Sequence, residues 1–148
     1  MEKQEIQELF QGHGIDVAFI NVTQTQLNKS IMDAVKPVRE LLKEHSVHDY
    51  ATQEQGTHAK IVKSVTYLGA EEETEDKATL YRPTSGNGDP RIWFTNLKHY
   101  AKAGDVLVLM TDGVELFVVN ANQENLINEV NNPESDFART IEKMQVRS

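Results

Sequence analysis

The sequence predicts an α+β fold, a small antiparallel β-barrel or half-barrel with flanking helices. Two pairs of short runs rich in β-branched and aromatic residues, 60–69 with 77–83 and 105–111 with 115–120, follow one another with only turns between. Consecutive strands joined this way imply hairpins rather than βαβ crossovers. Helical spacing of apolar residues is confined to the two ends and to a stretch after residue 30. Five or six short strands of this kind are expected to curl and close, because closure removes exposed edges.

Taken in order, Ile6, Leu9 and Phe10 sit at helical spacing and Gly12 and Gly14 end the pattern, giving a short helix over 2–11. VAFINV at 17–22 reads as a strand. Ser30 and Asp33 have the spacing of a capping box, so a helix is expected from about residue 31. Pro37 then imposes a kink or a second start, and Val38, Leu41 and Leu42 continue an apolar face to Glu44. Residues 45–60, HSVHDYATQEQGTHAK, lack apolar periodicity and read as a long polar connection, the kind that often carries function. KIVKSVTYLG and KATLYRP form a hairpin pair across the acidic run EEETED. RIWF at 91–94 is a short strand, and TNLKHYA a short helix capped by Thr95. DVLVLMT and ELFVVN join through Asp112 and Gly113, a strong turn signal. Residues 124–130 and 135–144 read as helices separated by Asn131, Asn132 and Pro133. With no internal repeat and no low-complexity linker, the chain reads as one domain, its core over about 15–122 and a C-terminal helical segment over 123–148.

The 148 residues, 39% hydrophobic and 26% charged, suffice for one buried core. No run approaches the roughly 20 apolar residues of a membrane-spanning helix. The acidic, amphipathic beginning MEKQEIQELFQG is unlike a signal or transit peptide. The absence of Cys excludes disulfides, thiolate metal sites and a Cys nucleophile. These features together suggest a soluble cytoplasmic protein with no cofactor. A net charge of −8 argues against phosphate binding until its distribution is considered. Residues 71–76 alone carry five negative charges, and such a run usually forms a solvated loop. Over residues 77–119, Lys77, Arg82, Arg91, Lys98 and Lys102 outweigh Asp89, Asp105, Asp112 and Glu115 by one charge.

Catalytic patterns are weak. His45, His48 and Asp49 have a spacing that two metal ligands and a supporting carboxylate could use, but no third ligand is evident. Glu75, Asp76 and Lys77 contain the Glu-x-Lys spacing of metal-dependent nucleases. That chemistry needs the side chains on a rigid strand, whereas here they are expected at the end of an acidic loop. No G-x-S-x-G occurs, and GNGDPR lacks the Lys of a phosphate-binding loop. No catalytic residue or metal ligand is assigned, and the chain is read as a non-enzyme.

Cationic, amide and aromatic side chains are the remaining signal. Arg82, Arg91, Trp93, Lys98 and His99 lie close in sequence, and Tyr50, Gln53, Gln55, His58 and Lys60 occupy the long polar connection. Arg and Gln can bond base edges bidentately, Lys can meet phosphates, and Trp and Tyr can stack on an unpaired or flipped base. The expected DNA-binding set is Tyr50, Gln55, His58, Lys60, Arg82, Arg91, Trp93 and Lys98. The competing expectation is structural: Trp93 between Ile92 and Phe94 suits a core, and Arg91 could simply pair with Asp89 or the acidic run.

AKAGDVLVLM after a short polar helix resembles small pseudobarrels of the PUA and ASCH type, in which a Gly-Asp turn launches a central apolar strand. Over about residues 26–122, HDY with the later EQG, the YRP step, GDPRIW and the AGD turn resemble a domain N-terminal to the nuclease in some MvaI/BcnI-type and related restriction endonucleases. The resemblance implies a DNA-recognition or effector domain of a restriction-modification or phage-defence system, with duplex DNA as ligand and cleavage in a separate domain. Because the chain ends at Ser148, it is expected to be a detached domain or to work alone, with a nuclease domain or other protein as a further partner. In that frame Ser85 to Asp89 form a tight loop placing Arg91 and Trp93 at a barrel mouth, with Asp89 steadying Arg91 and Pro90 stiffening the backbone. Two other functions compete: an acidic phage-type or host inhibitor that imitates DNA, motivated by the charge of −8, and a nucleotide-sensing domain.

Overall fold

The computed structural model describes residues 2–56, 59–68, 75–122 and 126–147. Among the described residues five α-helices and seven strands alternate unevenly: α1 (Lys3–Gln11), β1 (Ala18–Asn21), α2 (Gln24–Lys29), β2 (Ile31–Asp33), α3 (Lys36–Glu44), β3 (Ile61–Leu68), β4 (Glu75–Tyr81), β5 (Arg91–Phe94), β6 (Val106–Thr111), β7 (Leu116–Asn120), α4 (Leu126–Asn131) and α5 (Asp136–Arg147). Short 3₁₀ turns occupy Tyr50–Thr52 and Leu97–His99.

The strands form one sheet in the order β1-β6-β7-β3-β4-β5-β2. Its two edge strands, β1 and β2, are joined by residues 22–30 alone. A flat seven-stranded sheet would hold those edges about 29 Å apart. The connection, mostly the six-residue α2, reaches only about 23 Å. The sheet therefore curls into a nearly closed, barrel-like shape, as the sequence predicts. It is mixed rather than wholly antiparallel, because β3 and β7 run parallel, with Val65 opposite Leu116 and Tyr67 opposite Val118. Side-chain alternation accounts for that register: these four residues enter the interior, while Leu68 and Val119 face outward together.

The interior cluster joins Ile20, Met32, Leu80, Ile92, Phe94, Leu107 and Leu109 to Val38, Leu41 and Leu42 of α3. A second cluster lies outside the barrel, where Val108, Met110, Phe117 and Val119 pack under Ile6 and Phe10 of α1 and under Val130, Phe137 and Ile141 from the C-terminal helices. β6 and β7 are thus buried on both faces, which explains their nearly continuous apolar sequences.

Three sequence expectations change. Residues 31–33 pair with β5 as strand β2 instead of opening a helix. Ser30 is the left-handed C-cap of α2, at φ 57°, and α3 begins at the Pro37 start. α2 itself is stopped and started locally, its N-cap Thr23 accepting a bond from the Gln26 amide. Thr95 caps no helix; the turn beginning at Leu97 follows Asn96, which takes φ 63°. β4 also begins earlier than expected, so Glu75, Asp76 and Lys77 lie on a strand. The four residues 71–74 of the acidic run lie outside the described residues.

A candidate nucleic-acid interface

Alternation along β5 decides what the opening strand of the basic-aromatic cluster can do. Ile92 and Phe94 are fully buried, so Arg91 and Trp93 project outward. Trp93 is 46% exposed, which corrects the expectation that it belongs to the core. It stands in register between Ile31 of β2 and Thr79 of β4, and Thr79 is in turn opposite Val62, itself 56% exposed. The adjacent row runs Asp33, Arg91, Tyr81. Lys60 lies just before β3 with its ammonium 5.4 Å from the Tyr81 ring centroid, a cation–π arrangement. Lys77 is exposed on β4. The outer face of β3-β4-β5-β2 therefore carries an open indole, two aliphatic side chains and several cations. The α1 and C-terminal helices cover the opposite half of the barrel instead.

The loop before β5 explains its unusual composition. Gly86 and Gly88 take φ of 60° and 67°, left-handed conformations that glycine tolerates without strain. A Cβ on Gly88 would meet the Gln55 side chain at 2.5 Å. Arg82 donates from Nε to the Gly88 carbonyl at 2.8 Å, and its two terminal nitrogens donate to the carbonyls of Gln53 and Asn87. Gln55 donates to the Pro83 and Gly86 carbonyls. Both side chains are thereby engaged in pinning the loop to residues 53–56. No ion pair joins Asp89 to Arg91 among the described residues; the carboxylate beside Arg91 in register is Asp33.

Tyr50 is buried, and its hydroxyl donates to the Arg91 carbonyl at 3.0 Å. Burial raises its phenol pKa above the ordinary value; Arg39 lowers it and Tyr81 raises it, so all three belong to one neighbourhood. His58 lies outside the described residues. Lys98 is exposed on the 3₁₀ turn after β5. Of the expected set, the structure thus groups Lys60, Arg91 and Trp93 on one surface, puts Tyr50 beneath its edge, and sets Arg82 and Gln55 in the supporting loop.

Residues missed in the sequence lie on α3. Lys36, Arg39 and Lys43, spaced i, i+3 and i+7, line a cleft of about 190 Å³ with Glu40, Asp49, Tyr50 and Ala51. KPVRELLK carries these cations between the apolar positions Val38, Leu41 and Leu42, so its periodicity announces a core helix rather than a site. Arg39 donates to the Ala34 carbonyl at 2.6 Å, and the Ala34 amide donates to the Pro90 carbonyl. Those bonds tie the cleft to the start of β5.

His45, His48 and Asp49 go to three different partners: Asp16, Gln53 and the Ala51 amide. No group of three or more His, Asp or Glu able to hold a metal occurs among the described residues. No helix among them is long and apolar enough to cross a membrane.

The fold and its exposed surface define a small α+β protein with a nearly closed, barrel-like mixed sheet. No protein-family profile, curated protein or solved structure matches the chain.

Proposed function

We propose that this protein is a non-catalytic DNA-binding module whose contact surface is the outer face of β3-β4-β5-β2. The observation that carries the reading is the position of Trp93, half exposed on an open sheet face with Arg91 two residues away on the same side. An indole left in water at the centre of a four-strand surface contributes little to folding, whereas aromatic and guanidinium groups together suit bases and phosphates. Lys60, Lys77 and Arg91 stand on this face with the Asp33 carboxylate, and three cations with two carboxylates line the α3 cleft, so cations are available locally although the chain as a whole is acidic. The resemblance to restriction-endonuclease domains points the same way and supports a setting in which cleavage, if any, belongs to a separate domain.

The test is DNA affinity at 50 and 200 mM salt for wild type, Arg91→Ala and Trp93→Ala. Affinity should fall steeply with salt, as phosphate contacts require. Each substitution should weaken binding by about 1–3 kcal/mol, the range of a base contact or a stacked base. Wild-type affinity that both variants retain would remove this face from consideration.

A further inference from the structure

We propose that the ligand of this face is an unpaired nucleic-acid strand, with a base stacked on Trp93 and its phosphates led past Arg91 into the Lys36–Arg39–Lys43 cleft. The inference rests on the reading that the face binds nucleic acid, and it departs from the duplex expected from the sequence. An indole can stack only on a base whose own face is free, and inside a duplex both faces of each base are covered unless the base is flipped out. Trp93 offers such a platform, its indole 46% exposed, whereas the ring of Tyr81 in the next row has the Lys60 ammonium over it. Reading a closed duplex instead calls for a helix or a two-stranded ribbon that enters the major groove. Among the described residues, α3 sets its cations over a cleft walled by Asp49, Tyr50 and Ala51 rather than on a free helix face, and β5, which carries Trp93, lies inside the sheet between β4 and β2.

The strand's path follows from the bonds at the corner of the barrel. Tyr50 lines the α3 cleft and bonds the Arg91 backbone, so the cleft begins where β5 begins. Trp93 lies two residues further along the same face, about 7 Å away. Within the cleft, Lys36 pairs with Glu40 only at 3.8 Å and with both side chains exposed, while Asp49 accepts a bond from the Ala51 amide. Three cations against two carboxylates leave the cleft a net attraction for phosphates.

Trp93 is the chain's only Trp, so its fluorescence reports stacking directly. The full chain is titrated in 50 mM salt with oligo(dU), oligo(rU) and a closed DNA duplex of matching length. The expected result is quenching by at least one single strand, bound about tenfold or more tightly than the duplex; the better of the two identifies the sugar. By anisotropy, Trp93→Phe should keep most of the single-strand affinity while Trp93→Ala loses about tenfold or more, as stacking energies predict. Lys36→Ala with Lys43→Ala should lower the salt dependence by about 1.4 in log–log slope, at about 0.7 per phosphate contact, without changing the quenching at saturation. Equal or tighter binding of the duplex, without quenching, overturns the unpaired-strand inference and leaves the nucleic-acid reading standing. Failure of all three ligands to bind overturns both.

Discussion

Gln53 is a buried side chain whose amide ties three segments together. Its Nε2 donates to the Ala59 and Leu80 carbonyls, and its Oε1 meets His48 Nε2 at 3.0 Å. Gln53→Ala removes those partners without removing the buried groups that need them, so urea unfolding should show a loss of about 1–3 kcal/mol. Trp93→Ala should behave differently. A core Trp would cost about 3–5 kcal/mol on truncation, but a half-exposed one on a sheet face should cost about 1 kcal/mol or less. The same unfolding experiment separates the two cases. Three further residues respond to pH. Burial raises the phenol pKa values of Tyr50, Tyr67 and Tyr100 above the ordinary value, and their hydroxyls bond the Arg91, Thr95, Leu68 and Val118 carbonyls. In the unfolded chain they ionise near pH 10, so above that pH the unfolded state has released protons that the folded state keeps. Stability should therefore decline as pH rises beyond about 10, by up to about 1.4 kcal/mol per tyrosine per pH unit, with no such contribution at neutral pH. Urea unfolding of wild type and Tyr100→Phe on both sides of pH 10 checks this, and the variant should show the shallower decline.

At the scale of elements, the loop over 84–89 is held by the Arg82 guanidinium together with the Gln55 amide. Arg82 bonds three carbonyls from a planar fork, which a lysine cannot reproduce. Arg82→Lys is expected to raise amide hydrogen exchange in the loop and to lower stability by about 1–3 kcal/mol, through the carbonyls left unpaired. Elements whose signals are local were legible in the sequence. The β6-β7 pair was marked by its apolar runs and by Asp112, whose carboxylate accepts from the Val114 and Glu115 amides. α3 was marked by its apolar face and by Pro37. β2 was not legible, because Ser30 and Asp33 imitate a cap and only pairing with β5 makes residues 31–33 a strand. α2 was hidden by its length, six residues with Leu27 alone buried. The parallel β3-β7 pair joins residues far apart in sequence, which no turn residue announces. In the candidate site, Arg91 and Trp93 stood out by residue type. The outward face of Trp93 and the approach of the α3 cations to β5 depend on the closure of the barrel.

Across the whole molecule, one curled sheet is covered unequally. Helices α1, α4 and α5 shield the outer face of β6 and β7, and the outer face of β3-β4-β5-β2 keeps Val62 and Trp93 in solvent. That asymmetry places the proposed contact surface away from the helical layer. It also lets a chain of net charge −8 present cations locally, through Lys60, Lys77 and Arg91. The most direct test of the account is an amide chemical-shift titration of the labelled protein with a DNA oligonucleotide at low salt. The account predicts that shifts concentrate at Val62, Thr79, Arg91 and Trp93 and at Lys36, Arg39 and Lys43, leaving α1 and α5 unmoved. Shifts confined to α1 and α5, or no shifts at all, would contradict it.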